Sequence, residues 1–115
     1  MIDFACKKFD IREIIRCIFN LTKTEFKIVE YLMENTNSEV TSQKISKIFK
    51  IGLSTSQKAI NKIAKKELIK RSQKNLLKGG YVFVYSIKQK RILKKRILEI
   101  INNGVWKVEK RVQQW

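Results

Sequence analysis

Four glycines and no proline punctuate this chain of 115 residues, so it can turn sharply in few places. Gly52 stands between two short helical patterns and is expected to supply the positive φ of a tight helix-to-helix turn. Gly79-Gly80 precedes the strand-like run Tyr81-Val82-Phe83-Val84-Tyr85 and marks a hairpin. Asn103-Gly104 falls inside a long helical pattern, where it would bend the helix or split it in two. Between these points the chain has to build regular elements, mostly helices.

The apolar spacing names them. Ile11, Ile14, Ile15, Ile18 and Phe19 share one helical face, and Asn20-Leu21 interrupts it. Thr22-Lys23-Thr24-Glu25 fits a capping box, flanked by Leu21 and Phe26 at the staple positions. The helix it opens carries Ile28, Val29, Leu32 and Met33 on one face and ends near Asn35-Thr36-Asn37. Glu39-Val40-Thr41 reads as a minimal strand. A helix from Ser42 to about Phe49 follows, with Thr41 as its N-cap and Ile45, Ile48 and Phe49 as its stripe. Beyond Gly52 a further helix is expected from Ser54, with Ser54-Thr55-Ser56-Gln57 as a second capping box and Ala59, Ile60, Ile63 and Ala64 facing inward. Leu68 to Gln73 and Tyr81 to Ile87 read as two strands, and Lys88 to Trp115 returns to a helical pattern.

Charge is distributed unevenly over these elements. The net charge is +16. Residues 1–39 hold six Lys/Arg and seven Asp/Glu, whereas residues 40–98 hold seventeen Lys/Arg and a single acid, Glu67. A merely solvated surface mixes both signs, so exclusion of acids over 59 residues implies a polyanionic partner. A membrane surface would call for one basic amphipathic helix with exposed aromatics. Here the basic segment spans several elements, and nucleic acid is the better match.

Other classes are excluded or disfavoured. With no histidine, Ser-His and Cys-His nucleophilic machinery and histidine acid–base chemistry are out. No P-loop or GxGxxG is present, and no enzyme activity is expected. Cys6 and Cys17 form no CxxC pair, so neither a metal nor a cofactor is expected; a redox role for the two thiols is left open. No apolar run has the length of a membrane span and residues 1–9 lack a signal-peptide core, which suggests a cytoplasmic, nucleoid-associated protein. No small-molecule ligand is suggested by any motif.

The order helix, helix, short strand, helix, turn, helix, hairpin, long helix is that of a winged helix-turn-helix: an α+β, mostly helical fold. One domain over 1–115 is expected, with a core at about 20–87, an N-terminal helix at about 10–19 and a long C-terminal dimerisation helix at about 88–115. The second helix of the pair can enter a major groove. Its candidate contacts are Ser54, Thr55, Ser56, Gln57, Lys58, Asn61, Lys62 and Lys65. Lys70, Arg71, Lys74, Lys78, Gly79 and Gly80 make a basic wing for the backbone or minor groove. Lys88, Lys90, Arg91, Lys94, Lys95 and Arg96 form a further basic cluster. For each set the competing reading is a capped helix end or a solvated charged face. Ile11, Ile14, Ile15 and Ile18 with Ile97, Ile101, Val105, Val108 and Val112 form stripes that either cover the protomer's own core or join two protomers.

On these residues the chain resembles archaeal winged-helix transcriptional regulators of the broad MarR/TrmB-like kind, over roughly residues 18–87. The stretches that carry the resemblance are IFNLTKTEFKIVEYL, VTSQKISKIFKIGLSTSQKAINKIAKKELIKR and GGYVFVYS. Family members place a Gly where this chain has Glu67, so a different turn before the wing is expected. The resemblance implies sequence-specific duplex DNA binding as a homodimer and control of transcription. The chain is shorter than relatives with an added sensor domain. A non-specific architectural DNA-binding protein and an RNA-binding module are the other readings, the latter without an RRM aromatic signature or a KH GxxG loop.

Overall fold

The computed structural model describes residues 2–4 and 7–115, with side chains from Asp10 onward; Cys6 lies outside the described residues. In chain order the elements are β1 (Ile2–Phe4), β2 (Lys7–Phe9), α1 (Ile11–Ile18), α2 (Lys23–Glu34), α3 (Ser42–Phe49), α4 (Leu53–Lys65), β3 (Ile69–Asn75), β4 (Tyr81–Ile87) and α5 (Lys90–Gln114). They divide into two compact units: residues 21–88, and residues 1–20 with 89–115.

The unit of residues 21–88 is the winged helix-turn-helix. Thr22 and Glu25 form the expected capping box at the start of α2: the Glu25 N–H donates to Thr22 Oγ1 at 3.2 Å, and the Thr22 N–H donates to Glu25 Oε1 at 3.0 Å. Ile28, Val29 and Leu32 of α2 are buried, as are Ile45 of α3 and Ala59, Ile60 and Ile63 of α4. Met33 and Ile48 fall outside this core and are exposed, because their positions sit at the edge of each stripe. Tyr31 of α2 meets Phe49 of α3 edge to face, with ring centroids 6.0 Å apart.

Glu25 does more than cap. It is 2% exposed, and its Oε1 also accepts from Lys66 Nζ at 3.2 Å, which ties the start of α2 to the end of α4. Burial alone disfavours its charge, but the Thr22 N–H, the Lys66 ammonium and the Thr22 hydroxyl outweigh burial and hold the carboxyl below its ordinary range.

The turn between α3 and α4 differs from the sequence expectation. Gly52 has φ −62° and is the N-cap of α4; the left-handed residue is Lys50, at φ 53°. Placing the αL residue directly after α3 lets the Ile51 N–H close back onto Ser46 O at 3.1 Å, a Schellman-type end that a glycine two residues later could not make. The helix then starts at Leu53, one residue early. No side chain caps it, so Ser54 is a first-turn residue and the expected second capping box does not form.

β3 and β4 pair antiparallel, from Ile69↔Ile87 at the base to Asn75↔Tyr81 near the tip. Val40 adds a single bridge to Tyr85, the expected minimal strand reduced to one residue. Glu67, just before β3, adopts φ 65°. The backbone there keeps the left-handed turn that a glycine would give, although a carboxylate side chain occupies it.

In the other unit β1 and β2 form a short antiparallel hairpin that the sequence did not suggest. Asp10 caps α1 by accepting from the Arg12 N–H at 3.2 Å. α1 packs against α5, with Ile15 and Leu93 buried and Ile14, Ile18 and Ile97 half-buried. α5 is one helix of 25 residues, about 37 Å long, and Gly104 is helical within it. Asn103-Gly104 does not split it. A glycine costs about 1 kcal/mol inside a helix, too little to end one this long.

Glu25→Gln removes the charge and keeps the shape. Because the folded pKa is depressed, ionised Glu25 stabilises the fold at neutral pH, and that contribution is lost as pH falls through the folded value. Urea unfolding should show E25Q less stable than the parent by about 1–3 kcal/mol at pH 7, with the gap shrinking in acid. A gap independent of pH would show that the Lys66 pairing contributes nothing.

Candidate nucleic-acid interface

The candidate face begins with what holds α4 in place. Ser56 is 0% exposed, and its hydroxyl donates to Ser42 O on α3 at 2.8 Å. Ser46 Oγ donates to Ile51 O at 2.6 Å inside the turn. These bonds and the αL turn at Lys50 fix α4 against α3. Ser56 therefore departs from the sequence expectation: its hydroxyl is spent on the helix pair and is closed to any ligand.

The remaining candidates on α4 point outward. Ser54, Thr55, Gln57, Lys58, Asn61, Lys62 and Lys65 are all exposed. Lys58, Asn61, Lys62 and Lys65 recur at three- and four-residue steps and share one side of the helix. The first turn, with no side-chain cap, leaves backbone N–H groups for an outside acceptor. No carboxylate occurs anywhere on α4.

The wing is organised by cross-strand register. Arg71 stands opposite Tyr85, which places it diagonally to Phe83, and its guanidinium lies 4.5 Å from the Phe83 ring centroid. Tyr81 packs edge to face on Phe83 with centroids 5.4 Å apart. The three residues form a ladder along one side of the hairpin that holds Arg71 in place. Lys70 and Lys78 are exposed. Lys74 is exposed too, but its Nζ lies 2.6 Å from Glu39 Oε2, so part of its charge is met within the unit. The five-residue tip is closed by Leu76 N–H to Gly80 O at 3.0 Å and Gly79 N–H to Leu76 O at 3.1 Å. Gly79 and Gly80 have φ of 90° and 79°, values closed to most other residues.

Sequence reasoning missed Phe83 as the platform for Arg71 and Glu39 as the partner of Lys74. The first was recoverable from the strand register; the second depends on the Val40–Tyr85 bridge, which carries Glu39 to the wing. It also left the tip leucines, Leu76 and Leu77, without a role. The basic residues Lys90, Arg91, Lys94, Lys95 and Arg96 of α5 are exposed, and Arg96 pairs with Glu99 at 3.7 Å. Cys17 is an exposed free thiol. Among the described residues no helix is long and apolar enough to cross a membrane, and no group of three or more His, Cys, Asp or Glu could hold a metal ion.

The model of the DnaD N-terminal domain family matches residues 15–108, which take in α2, α3, α4 and the wing whole and parts of α1 and α5. The chain belongs to the DnaD N-terminal domain family. Among its relatives, an uncharacterized protein of Methanocaldococcus jannaschii is 28% identical over 102 residues, 85% of this chain and 76% of that protein. A solved structure described as a possible transcriptional regulator from Methanosarcina mazei Go1 is 33% identical and covers 100% of this chain and 96% of that one, with a TM-score of 0.87. A protein of the thermoacidophilic archaeon Sulfolobus tokodaii shares the fold at 19% identity, over 84% of this chain and 93% of that one, with a TM-score of 0.68. This DnaD-type domain thus has archaeal structural relatives that share its winged helix.

Ser56→Ala tests the lock between α3 and α4. Loss of the bond to Ser42 O should lower stability by about 1 kcal/mol in urea unfolding. An unchanged midpoint would mean that apolar packing alone sets the angle of the pair.

Proposed function

We propose that this protein is a sequence-specific, duplex-DNA-binding transcriptional regulator of the MarR/TrmB-like kind, acting as a homodimer. α4 enters the major groove and the β3–β4 wing lies on the backbone or in the adjacent minor groove. One observation carries the reading. Within the unit of residues 21–88, Thr55, Lys58, Asn61, Lys62 and Lys65 on the outward face of α4 and Lys70, Arg71, Lys74 and Lys78 on the β3–β4 hairpin stand exposed, and neither element bears a carboxylate. Phosphate neutralisation by Lys and Arg supplies essentially all of the non-specific affinity for duplex DNA and a large share of the specific affinity. Ser54, Thr55, Gln57 and Asn61 supply groups able to read base edges, and Lys58, Lys62, Lys65, Lys70, Arg71 and Lys78 supply phosphate contacts. The description of the Methanosarcina mazei relative as a possible transcriptional regulator supports the same reading.

Homodimerisation is supported by α5. Ile101, Val105, Val108 and Val112 are exposed along it, with Ile11 exposed on α1. Buried Ile15 is taken up within the protomer and belongs to no such interface. A two-fold pair would present two recognition helices to half-sites about one DNA turn apart. The second reading, a non-specific architectural protein, is favoured by the size of the net charge alone.

Binding to selected and random duplexes at physiological salt separates the two. A regulator should prefer its selected site by about 10³ or more; a ratio near one would favour the architectural reading. Lys58→Ala and Lys62→Ala should each weaken binding and reduce the slope of log K against log salt by about 0.9 per lost phosphate contact. An unchanged slope would remove that lysine from the interface. Ile101→Asp with Val108→Asp should yield monomers in sedimentation and weaken site binding; a dimer that survives both changes does not use this row.

A further inference from the structure

The tip of the β3–β4 hairpin turns its leucines outward. Leu77 is 107% exposed and Leu76 52% exposed. The turn is constrained by its two backbone hydrogen bonds and by the positive φ of Gly79 and Gly80, so its conformation holds Leu77 in water. A leucine there contributes nothing to the protein's own core, and a hairpin turn needs none: polar residues and glycine serve it better. The tip is also the far end of a hairpin whose seven-residue strands reach roughly 20 Å from their buried base at Ile69 and Ile87.

The surrounding charge indicates what would cover it. Lys78 is adjacent, Arg71 and Lys70 are exposed farther along the same hairpin toward its base, and the hairpin carries no carboxylate. An apolar protein groove would take the leucine and leave these cations facing it unmatched. Duplex DNA offers both matches at once: phosphates along the groove edges, and the apolar faces of stacked bases at its floor. The minor groove, about 6 Å wide, admits a side chain where it would refuse a helix.

We propose that Leu77 is a wedge that enters the DNA minor groove and partly unstacks a base step, so that the protein bends the duplex it binds. This rests on the duplex-binding reading above and adds to it a deformation of the DNA. Lys78 holds a flanking phosphate, Arg71 meets the backbone farther along the hairpin, and Leu76 backs the wedge at the groove mouth. Preference for easily unstacked pyrimidine–purine steps at the wing position follows, without any hydrogen bond to a base there.

The experiment uses the full chain and an end-labelled duplex of about 40 base pairs, far shorter than the persistence length of about 150, with 2-aminopurine placed across the central steps. On binding, end-to-end energy transfer should report a bend within about 20–90°, and 2-aminopurine fluorescence should rise at one step. Leu77→Ala should bind within about tenfold of the parent affinity and with the same salt slope, yet leave the duplex straight and the reporter dark. Leu77→Phe should restore both signals. A bound duplex that stays straight with the parent protein, or bends equally with L77A, overturns the wedge and leaves duplex binding intact. Absence of any duplex binding by the parent overturns the binding reading and the wedge with it.

Discussion

A buried serine hydroxyl sets the geometry on which any use of this fold depends. Ser56 Oγ reaches back to Ser42 O, and Ser46 Oγ closes the intervening turn onto Ile51 O. Each bond alone contributes only about 1 kcal/mol. Together with the αL turn at Lys50 they fix where the N-terminus of α4 points. Because Ser56 faces inward, its neighbours Ser54, Thr55, Gln57 and Lys58 must face outward. The presentation of that polar turn follows from one committed hydroxyl.

The same logic extends to the ends of the unit. Glu25 is taken out of water at the start of α2 and is compensated by Thr22 and Lys66, so the far end of α4 is pinned electrostatically while its start is held by hydrogen bonds. At Glu67 the chain leaves α4 through a left-handed residue and enters β3. The wing is therefore joined to α4 by a turn of defined backbone. Arg71 is ordered in turn by Phe83 and Tyr81. Cationic groups held this way lose less side-chain freedom on meeting a phosphate than free lysines do.

Much of this was legible in the sequence, for physical reasons that differ from element to element. The Thr22–Glu25 box and the Thr41 cap depend on contacts within three residues, so local pattern reveals them. The hairpin was legible from Gly79-Gly80 and the apolar run after it. The turn at Lys50 was not: lysine rarely takes a left-handed backbone, and Gly52 nearby looked the better candidate. Tertiary packing of α3 on α4 overrode that preference. The inward use of Ser56 is hidden in the sequence for a related reason, since a serine near a helix's start is ambiguous until its partner fourteen residues back is known. The three-residue strands at 2–4 and 7–9 are too short for alternation to show. The helical run of α5 was legible from its spacing, whereas the burial of Ile15 depends on how α1 meets α5.

The proposed grip on duplex DNA lies with the outward face of α4 and the β3–β4 wing. Backbone amide mapping by NMR, with duplex DNA titrated into the labelled protein, tests it most directly. The largest shifts are expected at residues 54–62 and 70–80, with the buried amides of α2 little changed. Shifts concentrated on α2 or on the C-terminal half of α5, with α4 and the wing untouched, would contradict it.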